Sequence, residues 1–107
     1  MIGQLAGALS DCDRMLTFPT SSDRVLNIRG MRGLVYLKMK NPDAAIADYS
    51  AELAAHPKSA RALYGRGLAE QMKGDQAAFE ADSTEAKSIQ ADIADKFAQW
   101  GVPTPTP

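Results

Sequence analysis

The sequence predicts an all-α protein built as a stack of antiparallel helix pairs, and three observations predict it. Arg32-Gly33-Leu34 recurs thirty-four residues later as Arg66-Gly67-Leu68, and Asn41 falls opposite Asp75 at the same spacing. A period of that length marks a helical repeat, whose small unit cannot bury its apolar face unless a neighbour stacks on it. Proline, glycine and cap residues divide the chain into helix-length pieces. Strand-like alternation is nowhere sustained.

Residues 1–22 hold a first helix and a loop from Phe18 to Ser22 containing Pro19. Ser22 or Asp23 opens a helix of about five turns through Leu26, Leu34, Val35 and Leu37 to Lys40. Asn41-Pro42-Asp43 starts the next, since Asn accepts from first-turn amides, Pro tolerates the first helical position and Asp suits the positive end. That helix carries Ala45, Ile46, Tyr49 and Leu53 on one stripe and ends near His56-Pro57, closing a unit over 23–59. Ser59 caps a helix whose Ala62, Leu63, Ala69 and Met72 face a core until Gly74 stops it. Gly74 suits a left-handed stop and Asp75 caps the next helix, giving a second unit over 60–91. Over 92–101 Ile93, Phe97 and Trp100 recur at helical spacing, with Gly101 as the stop, and 102–107 reads as an extended, mobile tail.

At 107 residues, with 45% hydrophobic residues and a formal charge of −1, the chain fits one small domain with a modest core. No run of Lys or Arg would track a phosphate backbone or an anionic lipid surface, which argues against nucleic acid as a partner. No apolar run approaches the roughly 18 residues that cross a bilayer, so no membrane partner is expected. Ile2 to Leu9 has no basic flank ahead of it and makes a poor signal peptide.

With the helices placed, the chain resembles the tetratricopeptide repeat family. In the first unit Gly33, Tyr36, Ala45, Tyr49 and Pro57 match the family's small, aromatic and proline places, and Arg32-Gly33-Leu34-Val35-Tyr36 with Ala45-Ile46-Ala47-Asp48-Tyr49 is similar to many bacterial members. The second unit keeps Gly67, Gly74, Asp75 and Ala86 but has Glu70 for the aromatic, Phe79 for the small Ala and Ala91 for Pro. In the first, Glu52 stands where the family has a small residue. At the front, Ala8-Leu9-Ser10-Asp11 parallels Ala45-Ile46-Ala47-Asp48, so the chain begins halfway through a repeat, with a second-type helix and no first-type one. The resemblance implies a right-handed α-α superhelix, with Gly33 and Gly67 at close crossings and the 92–101 helix capping the stack near Phe79 to Ile89.

Chemistry is largely excluded. His56 sits at a predicted helix end, and Cys12 lies in an amphipathic stripe where it reads as a small core thiol. One Cys and one His far apart make no zinc site, and the glycines form no phosphate loop, so no metal, cofactor or catalytic residue is expected. The resemblance implies instead a protein or peptide ligand in the groove of the first-type helices. The groove places fall on Asn27, Met31, Leu34, Leu37 and Lys38, then on Arg61, Tyr64, Leu68, Gln71 and Met72. Members that clamp a C-terminal carboxylate use Lys and Asn where this chain has Gly30, Leu34 and Gly65, so that activity is not implied.

The alternative is a homodimer. The missing front helix leaves Leu5, Ala8, Leu9 and Cys12 as an under-covered apolar face, expected either because the chain is cut from a longer array or because a second copy fills it. Finally, Arg32 precedes Asp48 and Arg66 precedes Asp82 by sixteen residues, with Asp11 in the corresponding place of the first helix. That register predicts a recurring ion pair within each helix pair.

Overall fold

The computed structural model describes residues 2–16 and 22–102, and among them the chain forms six α-helices and no strand. These are α1 (Ile2–Leu16), α2 (Ser22–Lys38), α3 (Pro42–Ala55), α4 (Ala60–Met72), α5 (Gln76–Ile89) and α6 (Ile93–Gln99). Each of the first five packs on the next, α2 also meets α4, and α6 rests on both α4 and α5. The Leu5 side chain, residues 18–21 of the expected loop and residues 103–107 of the expected tail lie outside the described residues.

The helix ends show how the repeat is punctuated. Asn41 N–H donates to Tyr36 C=O and Lys40 N–H to Leu37 C=O, and thirty-four residues on Asp75 donates to Glu70 and Gly74 to Gln71. This paired bonding satisfies carbonyls that a helix end would otherwise leave bare, and it requires one residue in the left-handed region. Gly74 takes that conformation at φ 87°, and Lys40, its counterpart, takes it at φ 61° despite its β-carbon. The same closure recurs at Gly101 (φ 86°), where Val102 N–H bonds Phe97 C=O. Ser59 and Asp75 accept from the amides of Ala62 and Ala78 as side-chain caps. Asn41 does not: Pro42 removes one donor that would need a cap, and Ala45 N–H is held by the Asn41 backbone carbonyl.

One aromatic ring organises the centre. Tyr49, on α3, is fully buried, and its ring passes between Gly33 of α2 and Gly65 of α4. A β-carbon at Gly33 would fall 2.9 Å from Tyr49 Cζ, and one at Gly65 would lie closer still. A β-carbon at Gly67 would meet Asp82 and Phe79 at an ordinary 3.4 to 3.5 Å. The tight crossings are therefore at Gly33 and Gly65, where the Tyr49 ring is interposed, whereas Gly67 faces Asp82 and Phe79 of α5 at ordinary contact distance.

The predicted ion pairs are present in both copies, each two-pronged. Arg32 Nε and Nη2 donate to Asp48 at 2.8 and 2.7 Å, and Arg66 Nε and Nη2 donate to Asp82 at 2.8 and 3.0 Å. Such forks fix orientation as well as distance, while desolvation offsets much of their attraction. Arg32 has a third arm: Nη1 donates to Asp13 at 2.8 Å, tying α1 to the first pair through Asp13 and not through Asp11. Glu52 is buried as well, against Arg61 Nη2 at 2.9 Å and the Ser59 hydroxyl. Gly30 makes the room, since a β-carbon there would collide with both Arg61 and Glu52.

The last helix packs more deeply than a simple cap. Ile93 and Phe97 are buried, and the Phe97 ring lies 5.2 Å from that of Tyr64 on α4. Val102, expected at the head of a mobile tail, is buried in the same cluster, because the left-handed turn at Gly101 folds it back onto Phe97.

Two substitutions test this packing. Gly65→Ala is expected to cost about 1 to 3 kcal/mol through overpacking against Tyr49, whereas Gly67→Ala gains up to about 1 kcal/mol from helix propensity. Urea denaturation giving equal effects at the two sites would place Tyr49 elsewhere. Lys40→Gly is expected to stabilise by about 0.5 to 1 kcal/mol, because it removes a β-carbon from a left-handed residue. A lowered melting temperature in that variant would contradict the φ angle.

Candidate functional site

The face shared by α1, α2 and α4 holds two adjoining clefts. One, of about 170 Å³, is lined by Gly30, Met31 and Leu34 of α2, Tyr49 of α3, Arg61 of α4 and Trp100 after α6. The other, of about 340 Å³, lies between Ala8, Asp11, Cys12 and Met15 of α1 and Met31, Leu34 and Val35 of α2. Met31 and Leu34 line both. They form a ridge because their one-turn spacing puts both on one side of α2, while Gly30 and Gly33 turn towards α3 and α4.

The expected groove residues divide into three groups. Met31, Leu34 and Arg61 come together in the smaller cleft, and Met31 is 51% exposed despite its apolar side chain. Asn27 and Lys38 are exposed along α2, Gln71 is half-buried, and Met72 is exposed at the end of α4, outside the lining of either cleft. Leu37, Tyr64 and Leu68 are in the core. Tyr64 and Leu68, expected in the groove, are buried instead, with Phe97 of α6 against Tyr64. The C-terminal end then reaches α2, where a side chain on Gly101 would meet Lys38 Nζ at 3.5 Å.

On the front face, Ala8 and Leu9 are half-buried and Cys12 is buried. Burial pushes the Cys12 thiol up, so it stays protonated and weakly reactive. Because Ala8 and Cys12 share a cleft with Met31 and Leu34, the groove and the front face are one continuous surface. The sequence treats them as separate because its thirty-four-residue register assigns α1 and α2 to different units.

Polar groups missed in the sequence lie at the smaller cleft and beside it. The Tyr49 hydroxyl and Arg61 Nε are buried with no hydrogen-bond partner. Burial pushes the Tyr49 phenol well above its ordinary value, so it remains a donor. Arg61 keeps its pairing with Glu52 through Nη2, which leaves the cleft's ionised groups balanced. Along α4, Glu70 has one buried carboxylate oxygen with no partner. It occupies the place of Tyr36, whose ring takes the Arg32 guanidinium at 5.9 Å. Burial, with the neighbouring Asp82 carboxylate, pushes Glu70 up to about 7, while Arg66 holds Asp82 below its ordinary value despite its own burial.

Among the described residues no group of three or more His, Cys, Asp or Glu is placed to hold a metal ion. No helix among them is long and apolar enough to cross a membrane. His56 is exposed at the C-cap of α3, its amide bonded to Glu52 C=O.

The Glu70 shift has a pH signature. Between its ordinary value of 4.5 and about 7, the folded chain keeps a proton that the unfolded chain has released, so stability falls as pH rises through that window. Melting temperatures are expected to decline from about pH 5 to about pH 7.5 and to decline less in Glu70→Gln. Identical profiles for the two proteins would show that Glu70 ionises normally.

Comparison with protein-family models, with curated proteins and with solved structures finds no match to this chain.

Proposed function

We propose that this chain is a tetratricopeptide-type repeat module, a right-handed superhelix of helix pairs, that binds a protein or peptide without catalysing a reaction. The contact surface is the α2 ridge and the clefts beside it. The observation that carries this reading is Met31, a large apolar side chain 51% exposed between two apolar clefts. Such a patch on a small domain is an interaction feature, and Met adapts its shape to varied partners. The family assignment is supported by the recurrence at thirty-four residues of the Arg–Asp forks and of the helix-end closures. The burial of Tyr64 and Leu68 narrows the groove to its α2 side.

A second reading, a homodimer, is favoured by the larger cleft, which lies beside α1, a helix that among the described residues packs on α2 alone. One set of variants separates the two. Peptides selected against the intact protein are expected to lose about tenfold or more in affinity on Met31→Glu. They are expected to keep it on Met72→Glu, an equally apolar but remote site. Retained affinity on Met31→Glu would refute the ridge. Sedimentation equilibrium tests the dimer: self-association abolished by Leu9→Glu supports it, and a monomer at all concentrations rejects it.

A further inference from the structure

The smaller cleft contains what a ligand needs beyond apolar contact. Tyr49 is fully buried and its hydroxyl has no partner, although buried hydroxyls are ordinarily bonded. Its ring is clamped near Cζ by Gly33 and Gly65, and Tyr49 is among the residues that line the cleft. Arg61 lines the same cleft and carries a second unpartnered donor, Nε. Met31, Leu34 and Trp100 supply the apolar walls.

Two donors call for an acceptor, and its charge can be argued. Tyr49 is neutral, and the Arg61 guanidinium is already matched by Glu52 through Nη2 at 2.9 Å. A carboxylate entering the cleft would bring unmatched negative charge towards Glu52, which is buried and bonded. A neutral carbonyl oxygen has two lone pairs for the two donors and adds no charge. The volume, about 170 Å³, is below the range of small-molecule pockets and suits a residue-sized group.

We infer that this cleft recognises one peptide unit of a partner chain, a neutral main-chain carbonyl bonded by the Tyr49 hydroxyl and Arg61 Nε, with the adjoining aliphatic side chain against Met31, Leu34 and Trp100. The inference rests on the ridge reading and assigns its recognition chemistry. It makes Tyr49 both a packing element and a contact residue, and the two roles respond oppositely to loss of the hydroxyl.

The test uses the whole chain and N-acetyl-leucine N-methylamide as probe, with N-acetyl-leucine as its anionic counterpart. Trp100, the chain's single tryptophan, reports occupancy by fluorescence, and the Met31 methyl reports it by NMR. The neutral probe is expected to shift both signals saturably at millimolar concentration, and the anionic one to bind more weakly. Tyr49→Phe is expected to weaken the neutral probe about five- to tenfold while leaving the melting temperature unchanged or raised, because the free protein loses an unbonded buried hydroxyl. The inference is overturned if the neutral probe gives no saturable shift, if the carboxylate binds tighter, or if Tyr49→Phe leaves binding intact. A lowered melting temperature in Tyr49→Phe also overturns it, by showing that the hydroxyl has a partner within the fold. Should the probe fail while selected peptides still bind in a Met31-dependent way, the ridge reading survives and this assignment alone falls.

Discussion

A phenol ring flanked by glycine on both sides sets the spacing of α2, α3 and α4. The Tyr49 ring fills a gap that opens only because Gly33 and Gly65 have no side chains, so these three helices approach as closely as their backbones and one ring allow. Protein interiors are packed too densely to absorb an added carbon there without a shift. This spacing also sets the placement of Gly30 beneath Glu52 and Arg61, beside the cleft that Gly30, Tyr49 and Arg61 help to line.

Around that wedge the electrostatics are directional. The Arg32 and Arg66 forks grip Asp48 and Asp82, fixing how each helix pair is rotated, while the Arg61–Glu52–Ser59 group fixes how the second pair meets the first. A buried charge that loses its partner is far more damaging than the intact pair is stabilising. The polar groups therefore act against wrong arrangements more than in favour of the right one. Where the second copy departs from the first, at Glu70, a carboxylate takes an aromatic's place beside an existing Arg–Asp fork, and burial with the neighbouring Asp82 pushes it up to about 7.

The sequence revealed whatever recurs. The ion pairs and the stops at Lys40 and Gly74 sit at the same register in both copies, so one period locates both. The features that break register stayed hidden. Gly33 and Gly65 clasp the same ring but are thirty-two residues apart, so the thirty-four-residue echo pointed to Gly67 instead. Glu52 looked misplaced in the helix pair it belongs to, because its partners Arg61 and Ser59 lie at and beyond the boundary with the next unit. Of the lining of the smaller cleft, Met31, Leu34 and Arg61 are legible from helical position, whereas Tyr49 reads as core and Trp100 as cap. The burial of Tyr64 and Leu68 is not legible in the sequence, because helical position says which way a side chain points and not what covers it.

The return of the C-terminal end to α2 bears on how the molecule unfolds. In an open array each repeat touches only its neighbours, and the ends fray independently of the middle. Here Trp100 shares a cleft with Met31 and Leu34, and Val102 belongs to the cluster that contains Leu37, so the final turn is fastened to the first complete helix pair. Loosening α6 therefore opens the Tyr64 interface and the α2 contact together, and the portion from α2 to Val102 acts as a single cooperative unit. The segment outside that closure is α1, which among the described residues packs on α2 alone and is joined to it by the Arg32–Asp13 bond. It can detach while the rest of the domain stays folded.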